Sequence, residues 1–336
     1  MAHWAAATHP KLERLTGSGY RLVHRPHGAL PSEPLDDRAT LLAGLFAEPA
    51  RIAPKYFYDA LGCALFNAIC ELPEYYPTRT EWAIFSAHRD AIAATIGLGR
   101  QFVDLGAGDC AKGAFWLPLL EPPRYVAVDI AAAALEPALA RLATAFPDVE
   151  FTGVVTDFSR SLDLAEDLDA GPATFFYPGS SIGNFSPDEA VKLLTEVRRF
   201  CGRGGGLFIG VDTEKEPARL QAAYDDALGV TAAFNRNALN HVNALIGADF
   251  DPAAFAHIAF YNAAQRRIEM HLEARSAQRL HIAGRERTFA KGERIHTENS
   301  YKYAPETFAR LLRRAGFVGI SMWQDPAGDF AVFYAE

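Results

Sequence analysis

Short apolar runs alternate with longer amphipathic ones through the first two-thirds of the chain. Residues 101–106 (QFVDLG), 124–129 (RYVAVD), 150–157 (EFTGVVTD), 173–179 (ATFFYPG) and 206–212 (GLFIGVD) are apolar almost throughout and too short for helices. Between them, 132–146 (AAALEPALARLATAF) and 187–200 (PDEAVKLLTEVRRF) space their apolar residues as helices do. Apolar strands alternating with helices predict a mostly parallel, doubly wound α/β sheet with helices on both faces. Ser186 followed by Pro187 predicts a helix start, with a capping hydroxyl and a proline at the first helical position.

After residue 213 the pattern changes. Residues 214–246 read as helical, with Leu220, Tyr224 and Leu228 spaced for one face. In 266–275 (RRIEMHLEAR) the alternation is strict. Ile268, Met270, Leu272 and Ala274 point one way, and Glu269, His271, Glu273 and Arg275 the other. That is a half-buried antiparallel strand, and QRLHIAG (278–284) is expected to pair with it. A helix over 305–315 and strands over 318–323 and 329–335 complete the prediction. The insertion 214–302 is expected to join residues 1–79 in a second, α+β substrate-binding domain. Residues 80–213 and 303–336 would form the sheet domain. The second domain should sit over the carboxyl ends of the parallel strands, where open α/β sheets bind ligands.

Composition narrows the partners. The 336 residues suggest about two domains, and 49% hydrophobic with 22% charged residues is an ordinary globular mixture. Lys+Arg total 33 against Asp+Glu 41, a net charge of −8, so no nucleic-acid partner is expected. Cys63, Cys70, Cys110 and Cys201 form no CxxC pair, which argues against zinc and against a disulfide framework. The histidines show no HExxH-like spacing, so no metal is expected. No run reaches the roughly 18 apolar residues of a membrane span, and the N-terminus, with Trp4, His9, Lys11 and Arg14, does not read as a signal peptide. A cytoplasmic monomer acting on a small molecule is the expectation.

The candidate chemistry starts at Asp104-Leu-Gly106-Ala-Gly108-Asp109, directly after the first parallel strand. Glycines there allow a tight turn and close approach of backbone to a ligand. GxG alone is weak, but three acids sharpen it. Asp104 lies inside the strand, Asp129 ends the second strand where a carboxylate can grip ribose hydroxyls, and Asp157-Phe158 ends the third, an acid for an adenine amine beside a stacking ring. An acid before the turn would oppose a pyrophosphate, so the set favours S-adenosylmethionine (SAM) over NAD. Lys112 either pairs with the cofactor's carboxylate or is a surface lysine. No P-loop occurs. A seven-stranded sheet whose last strand returns antiparallel is the class I methyltransferase-type arrangement and supports the same choice.

With those motifs in view, the chain resembles the histidine Nα-methyltransferases of ergothioneine biosynthesis, from about residue 40 to its end. The resemblance rests on PKYFYDALGCALFNAICELPEYYPTRTE (54–81), GSSIGNF (179–185), AYDDALGVTAAFNRN (223–237), RRIEMHL (266–272) and HTENSYKY (296–303). It implies SAM-dependent trimethylation of the α-amine of L-histidine to hercynine. By position it implies that Tyr58, Gly106, Lys112, Asp129, Asp157 and Phe158 bind SAM. Asn184 and Tyr224 would hold the substrate carboxylate, with Tyr75 and Gly179 beside them. Met270, Glu298 and Ser300 would surround the imidazole. Asn299 and Tyr301 depart from the family pattern, as does GDCAKGAFWL (108–117) after the glycine turn.

Each of these residues also has a plainer reading. Asn184 fits a bend, Tyr224 a helix face, Met270 a core stripe with Ile268 and Leu272, and Glu298 a solvated acid. Methyl transfer from a sulfonium needs a neutral amine about 3–3.5 Å from the methyl carbon, without water. A proton must leave the amine before each attack, and Tyr75 is the candidate relay. Two alternatives remain at this level: a methyltransferase of the same fold for another amino acid, such as an aromatic one, and a non-catalytic SAM-binding protein.

Overall fold

The computed structural model describes residues 12–15, 19–25 and 37–336. In chain order the first part gives β1 (Leu12–Leu15), β2 (Tyr20–His24), α1 (Asp37–Leu45), β3 (Ala50–Arg51), α2 (Ala60–Cys70) and α3 (Tyr76–Ile96). The alternating core follows as β4 (Gln101–Leu105), α4 (Ala111–Ala114), α5 (Leu117–Leu120), β5 (Arg124–Asp129), α6 (Ala132–Ala145), β6 (Glu150–Val155), β7 (Ala173–Tyr177), α7 (Pro187–Cys201) and β8 (Gly206–Asp212). Then come α8 (Pro217–Ala222), α9 (Val230–Ile246), β9 (Phe255–Asn262), β10 (Arg267–Ala274), β11 (Gln278–Ile282), β12 (Arg285–Phe289), β13 (Arg294–Tyr301), α10 (Pro305–Arg314), β14 (Ile320–Gln324) and β15 (Phe330–Ala335).

The large sheet has the order β1-β2-β6-β5-β4-β7-β8-β15-β14 among the described residues. Strands β6, β5, β4, β7 and β8 run parallel, and β15 returns antiparallel between β8 and β14. Those seven are the strands the apolar runs predict. The five parallel ones are buried on both faces, and this is why their sequences are continuous apolar runs. Helix α7 starts as expected: Ser186 and Glu189 form a capping box with Pro187 inside it. The order reverses at β4, and the crevice outside the carboxyl ends of β4 and its neighbours is where such sheets take ligands.

Three expectations need correction. Strand β2 pairs in parallel with the open edge of β6, from Tyr20↔Phe151 to His24↔Val155, and β1 pairs with β2. This N-terminal hairpin therefore extends the large sheet and is not part of the substrate lobe. QRLHIAG does not pair with β10, because both edges of β10 are taken, by β9 and β13. Its strand, β11, pairs with β12 instead. The stretch 214–246 is two helices, since Asp226 accepts the backbone N–H groups of Val230 and Thr231 and starts α9 afresh. Tyr224 thus lies in the break and not on a continuous helix face, and Leu228 is 78% exposed.

Candidate active site

The glycine turn after β4 is left-handed at Gly106 (φ +68) and Gly108 (φ +52), and a Cβ at either would project into open space. The turn therefore offers bare backbone to the cleft. Asp129 at the end of β5 fastens it: Oδ2 accepts the N–H of Gly108 at 2.8 Å and Oδ1 that of Ala131 at 2.8 Å. Beneath the turn, Asp104 is buried and accepts the Tyr125 hydroxyl at 2.5 Å. Burial pushes its carboxyl up to about 7 against that hydrogen bond, and its Oδ1 is buried without a partner. Asp157 meets Lys55 Nζ at 3.0 Å and the Ser159 hydroxyl, while the Phe158 ring packs edge-on to Tyr177. Lys112 pairs with Glu81 at 2.5 Å. Glu81 is fully buried and also accepts the N–H of Gly179 at 2.8 Å. One cleft is lined by Tyr58, Asp104, Gly106, Lys112, Asp129, Asp157 and Phe158 together. An open glycine cradle, strand-end carboxylates and a lysine fit a nucleoside-bearing, amino-acid-tailed cofactor such as SAM.

A smaller pocket adjoins the cleft. Its walls include Tyr58, Tyr75, Gly179, Asn184, Tyr224, Met270, Glu298 and Ser300. Tyr58, Tyr75, Gly179, Asn184 and Glu298 line both spaces. The expected substrate residues come from five separate stretches of chain and meet here. Alternation along β10 and β13 turns Met270 inward with Ile268, and Glu298 with Ser300. Met270 faces Glu298 across the ladder, just before a register shift. Gly183 lets the turn 181–184 press on β13. A Cβ there would lie 2.9 Å from the Tyr301 carbonyl oxygen and 3.4 Å from Ser300 Oγ, and this close approach brings Asn184 to the rim.

Aromatic rings close the pocket: Tyr58 with Phe66 (5.9 Å between centroids) and Phe234 (5.9 Å), Phe66 with Tyr75 (6.3 Å), and Tyr75 with Tyr224 (6.2 Å). Glu298 is 8% exposed, so it is not a solvated acid. Burial pushes its carboxyl up to about 7, partly offset by the Lys302 ammonium. Burial likewise raises Tyr58 and Tyr75 well above the ordinary phenol, so both stay hydroxyls at neutral pH.

Several groups escaped the sequence reading. Asp212, at the end of β8, accepts Lys302 Nζ at 2.7 Å, Lys215 Nζ at 2.5 Å and the Tyr76 hydroxyl at 2.9 and 2.8 Å. Burial would raise this carboxyl, but the two ammonium groups hold it below its usual range. Lys302 also donates to the hydroxyls of Tyr224 (3.0 Å) and Ser300 (2.8 Å). Its alternation with Glu298 and Ser300 was a usable signal, as was the position of Asp212 at a strand end like those of Asp129 and Asp157. On the opposite face of β10, Glu269, His271 and His296 bring ligand-type atoms within 4.8 Å of one another. Residue spacing alone did not reveal this cluster. Burial would raise the Glu269 carboxyl, yet hydrogen bonds from Arg267, Asn262 and His271 bring it down to about 2.

Comparison with known proteins adds a family. The description "Histidine-specific methyltransferase, SAM-dependent" matches residues 37–336. A histidine N-alpha-methyltransferase from Mycolicibacterium smegmatis is 40% identical over 304 residues, covering 89% of this chain and 94% of the relative. The protein of the same name from Mycobacterium tuberculosis is 38% identical over 304 residues, with the same coverage of 89% and 94%. Ergothioneine biosynthesis protein 1 of Neurospora crassa is 28% identical over 296 residues, 82% of this chain and 32% of that protein.

Proposed function

The chain belongs to the histidine-specific, SAM-dependent methyltransferases, and on that premise we propose that it adds three methyl groups to the α-amino nitrogen of L-histidine, giving hercynine for ergothioneine biosynthesis. The observation that carries the choice of substrate is Glu298, a buried carboxyl two residues from Ser300 on one strand, lining both the small pocket and the cofactor cleft.

Charge decides the orientation. The Glu298 carboxyl, at about 7, is part-ionised at neutral pH, and in its ionised form it repels a substrate carboxylate and attracts an imidazole N–H. The ring therefore belongs at Glu298, Ser300 and Met270. The carboxylate belongs at the donors Asn184 and Tyr224, and the α-amine between them at Tyr75 and Gly179, where pocket and cleft meet. Tyr58, Gly106, Lys112, Asp129, Asp157 and Phe158 are assigned to SAM: Asp129 to ribose hydroxyls, Asp157 and Phe158 to the adenine, Lys112 to the carboxylate of the methionine end.

The bound sulfonium supplies an electrophilic methyl group. The residues of this chain then have two tasks. They hold a neutral amine in line with that methyl group and exclude water, which the ring of Tyr58, Phe66, Tyr75 and Tyr224 does by packing. They also take a proton from the ammonium before each transfer. The Tyr75 hydroxyl serves as a relay, accepting from nitrogen and passing a proton on, not as a phenolate, since burial keeps it protonated. Aromatic faces also suit the growing methylammonium.

We extend the reading to a cytoplasmic monomer that uses no metal and meets neither nucleic acid nor membrane; the net charge of −8 favours the exclusion of nucleic acid. No described helix is long and apolar enough to cross a membrane. The test is mass spectrometry of the protein incubated with SAM and each proteinogenic amino acid in turn. Histidine should gain one, two and then three methyl groups, and the others should gain little. Faster methylation of an aromatic amino acid would overturn the proposal.

A further inference from the structure

Lys302 is fully buried, and its ammonium has three acceptors for its three N–H groups: Asp212 Oδ2 at 2.7 Å, the Tyr224 hydroxyl at 3.0 Å and the Ser300 hydroxyl at 2.8 Å. The two hydroxyl oxygens are themselves 2.8 Å apart. An ammonium only donates, whereas a hydroxyl has one proton and two acceptor sites. With Lys302 filling one acceptor site on each oxygen, the pair has two arrangements. If Tyr224 donates to Ser300, Ser300 is filled and offers the pocket only its proton, and Tyr224 offers only an acceptor site. If Ser300 donates to Tyr224, the offers are exchanged.

We infer that Lys302 is a positioning residue that makes Tyr224 and Ser300 one two-state reader, so that the carboxylate and the ring of the substrate are recognised jointly. The inference rests on the orientation given above, with the carboxylate at Tyr224 and the ring at Ser300. A carboxylate only accepts, so it selects the arrangement in which Tyr224 turns its proton outward. Ser300 is then left with an acceptor site, and the ring must bring to it an N–H besides the one that meets Glu298, as the imidazolium does with a donor on each nitrogen. Without the ammonium the pair still shares one proton, but each hydroxyl keeps a spare acceptor site in either arrangement, so Ser300 can take a ring N–H whichever way the pair points and the two ends of the substrate are read independently. Asp212 keeps the cation in place through the exchange. It is held in turn by Lys215 and by the Tyr76 hydroxyl, which also keeps it partnered if Lys302 is replaced.

The test is a thermodynamic cycle in the ligand, measured by calorimetry at saturating S-adenosylhomocysteine. The four ligands are L-histidine, histamine (no carboxylate), 3-(thiazol-4-yl)alanine (a ring nitrogen but no N–H) and 2-(thiazol-4-yl)ethylamine (neither). In the wild type, losing the ring N–H should cost about tenfold more affinity when the carboxylate is present than when it is absent. In Lys302→Met the two penalties should agree within about twofold. Tyr224→Phe, which keeps the Lys302–Asp212 pair, should abolish the difference in the same way and covers the case in which Lys302→Met does not fold. Equal penalties in the wild type, or an unchanged difference in both variants, would overturn the inference while leaving histidine as substrate. Failure of the wild type to prefer L-histidine over L-phenylalanine would overturn the orientation and the inference with it.

Discussion

Asp129 and Glu298 line one cleft but are held in opposite ways. Asp129 is part-exposed, ends a parallel strand, and spends its oxygens on the N–H groups of Gly108 and Ala131, both within three residues of the end of a strand. Glu298 is buried, receives no close backbone donor of that kind, and carries a carboxyl raised to about 7. The proposed cofactor end is built from strand ends and the turns that follow them, so backbone N–H groups share the charge. The proposed substrate end is built from side chains of distant segments, so charge is balanced by other side chains such as Lys302. A site of the first kind tolerates cofactors with many oxygens. A site of the second kind is strict, because each buried polar group left unpaired costs binding energy.

That contrast breaks most sharply at Glu298. In Glu298→Ala the KM for histidine should rise about a hundredfold or more, while calorimetric affinity for S-adenosylhomocysteine stays within about threefold. An equal loss of both would make Glu298 a structural residue. The reverse experiment is Asp129→Ala. Loss of two charge-assisted hydrogen bonds should weaken S-adenosylhomocysteine by at least about tenfold, with histidine KM at saturating SAM little altered. Unchanged cofactor affinity would contradict the assignment of that strand end.

The same contrast explains what was legible in the sequence. Asp104, Gly106, Asp129 and Asp157 follow from the order of apolar runs, because a parallel sheet aligns the ends of its strands whatever lies between them. The residues of the substrate pocket have no such rule. Tyr224 reads as helix face until Asp226 is seen to start a new helix, and Met270 by pattern is core, which it also is. Their grouping came from family resemblance. Lys302 and Asp212 carried a positional signal, but the roles of Lys302, Asp212 and Glu81 depend on partners far along the chain, at Tyr224, at Tyr76 and at Gly179. The N-terminal hairpin was misplaced because nothing in its sequence says which open edge it joins.

Smaller effects sharpen the comparison further. Tyr75→Phe should lower kcat about tenfold and leave KM nearly unchanged, as expected for a relay and not for a binding group. A larger change in KM than in kcat would remove Tyr75 from that role. The smallest effect is on stability. The folded Glu298 carboxyl, at about 7, lies above its ordinary 4.5. The folded protein therefore keeps this proton over a range where the unfolded chain has lost it. The stabilisation is complete below the ordinary value and is lost as pH rises through about 7, on the order of 3 kcal/mol. Glu298→Gln should lose less stability than the wild type between pH ~5 and pH ~8 in thermal unfolding, a window that brackets these two values. Parallel pH curves for the two proteins would show that Glu298 is not held neutral.

The most direct measurement uses L-histidine labelled with ¹⁵N at the α-position, incubated with SAM to completion and followed by NMR. The account predicts a single final product in which three equivalent methyl groups couple to the α-nitrogen and none to the ring. Methyl groups on an imidazole nitrogen, or a reaction that stops with one methyl group on the α-nitrogen, would contradict it.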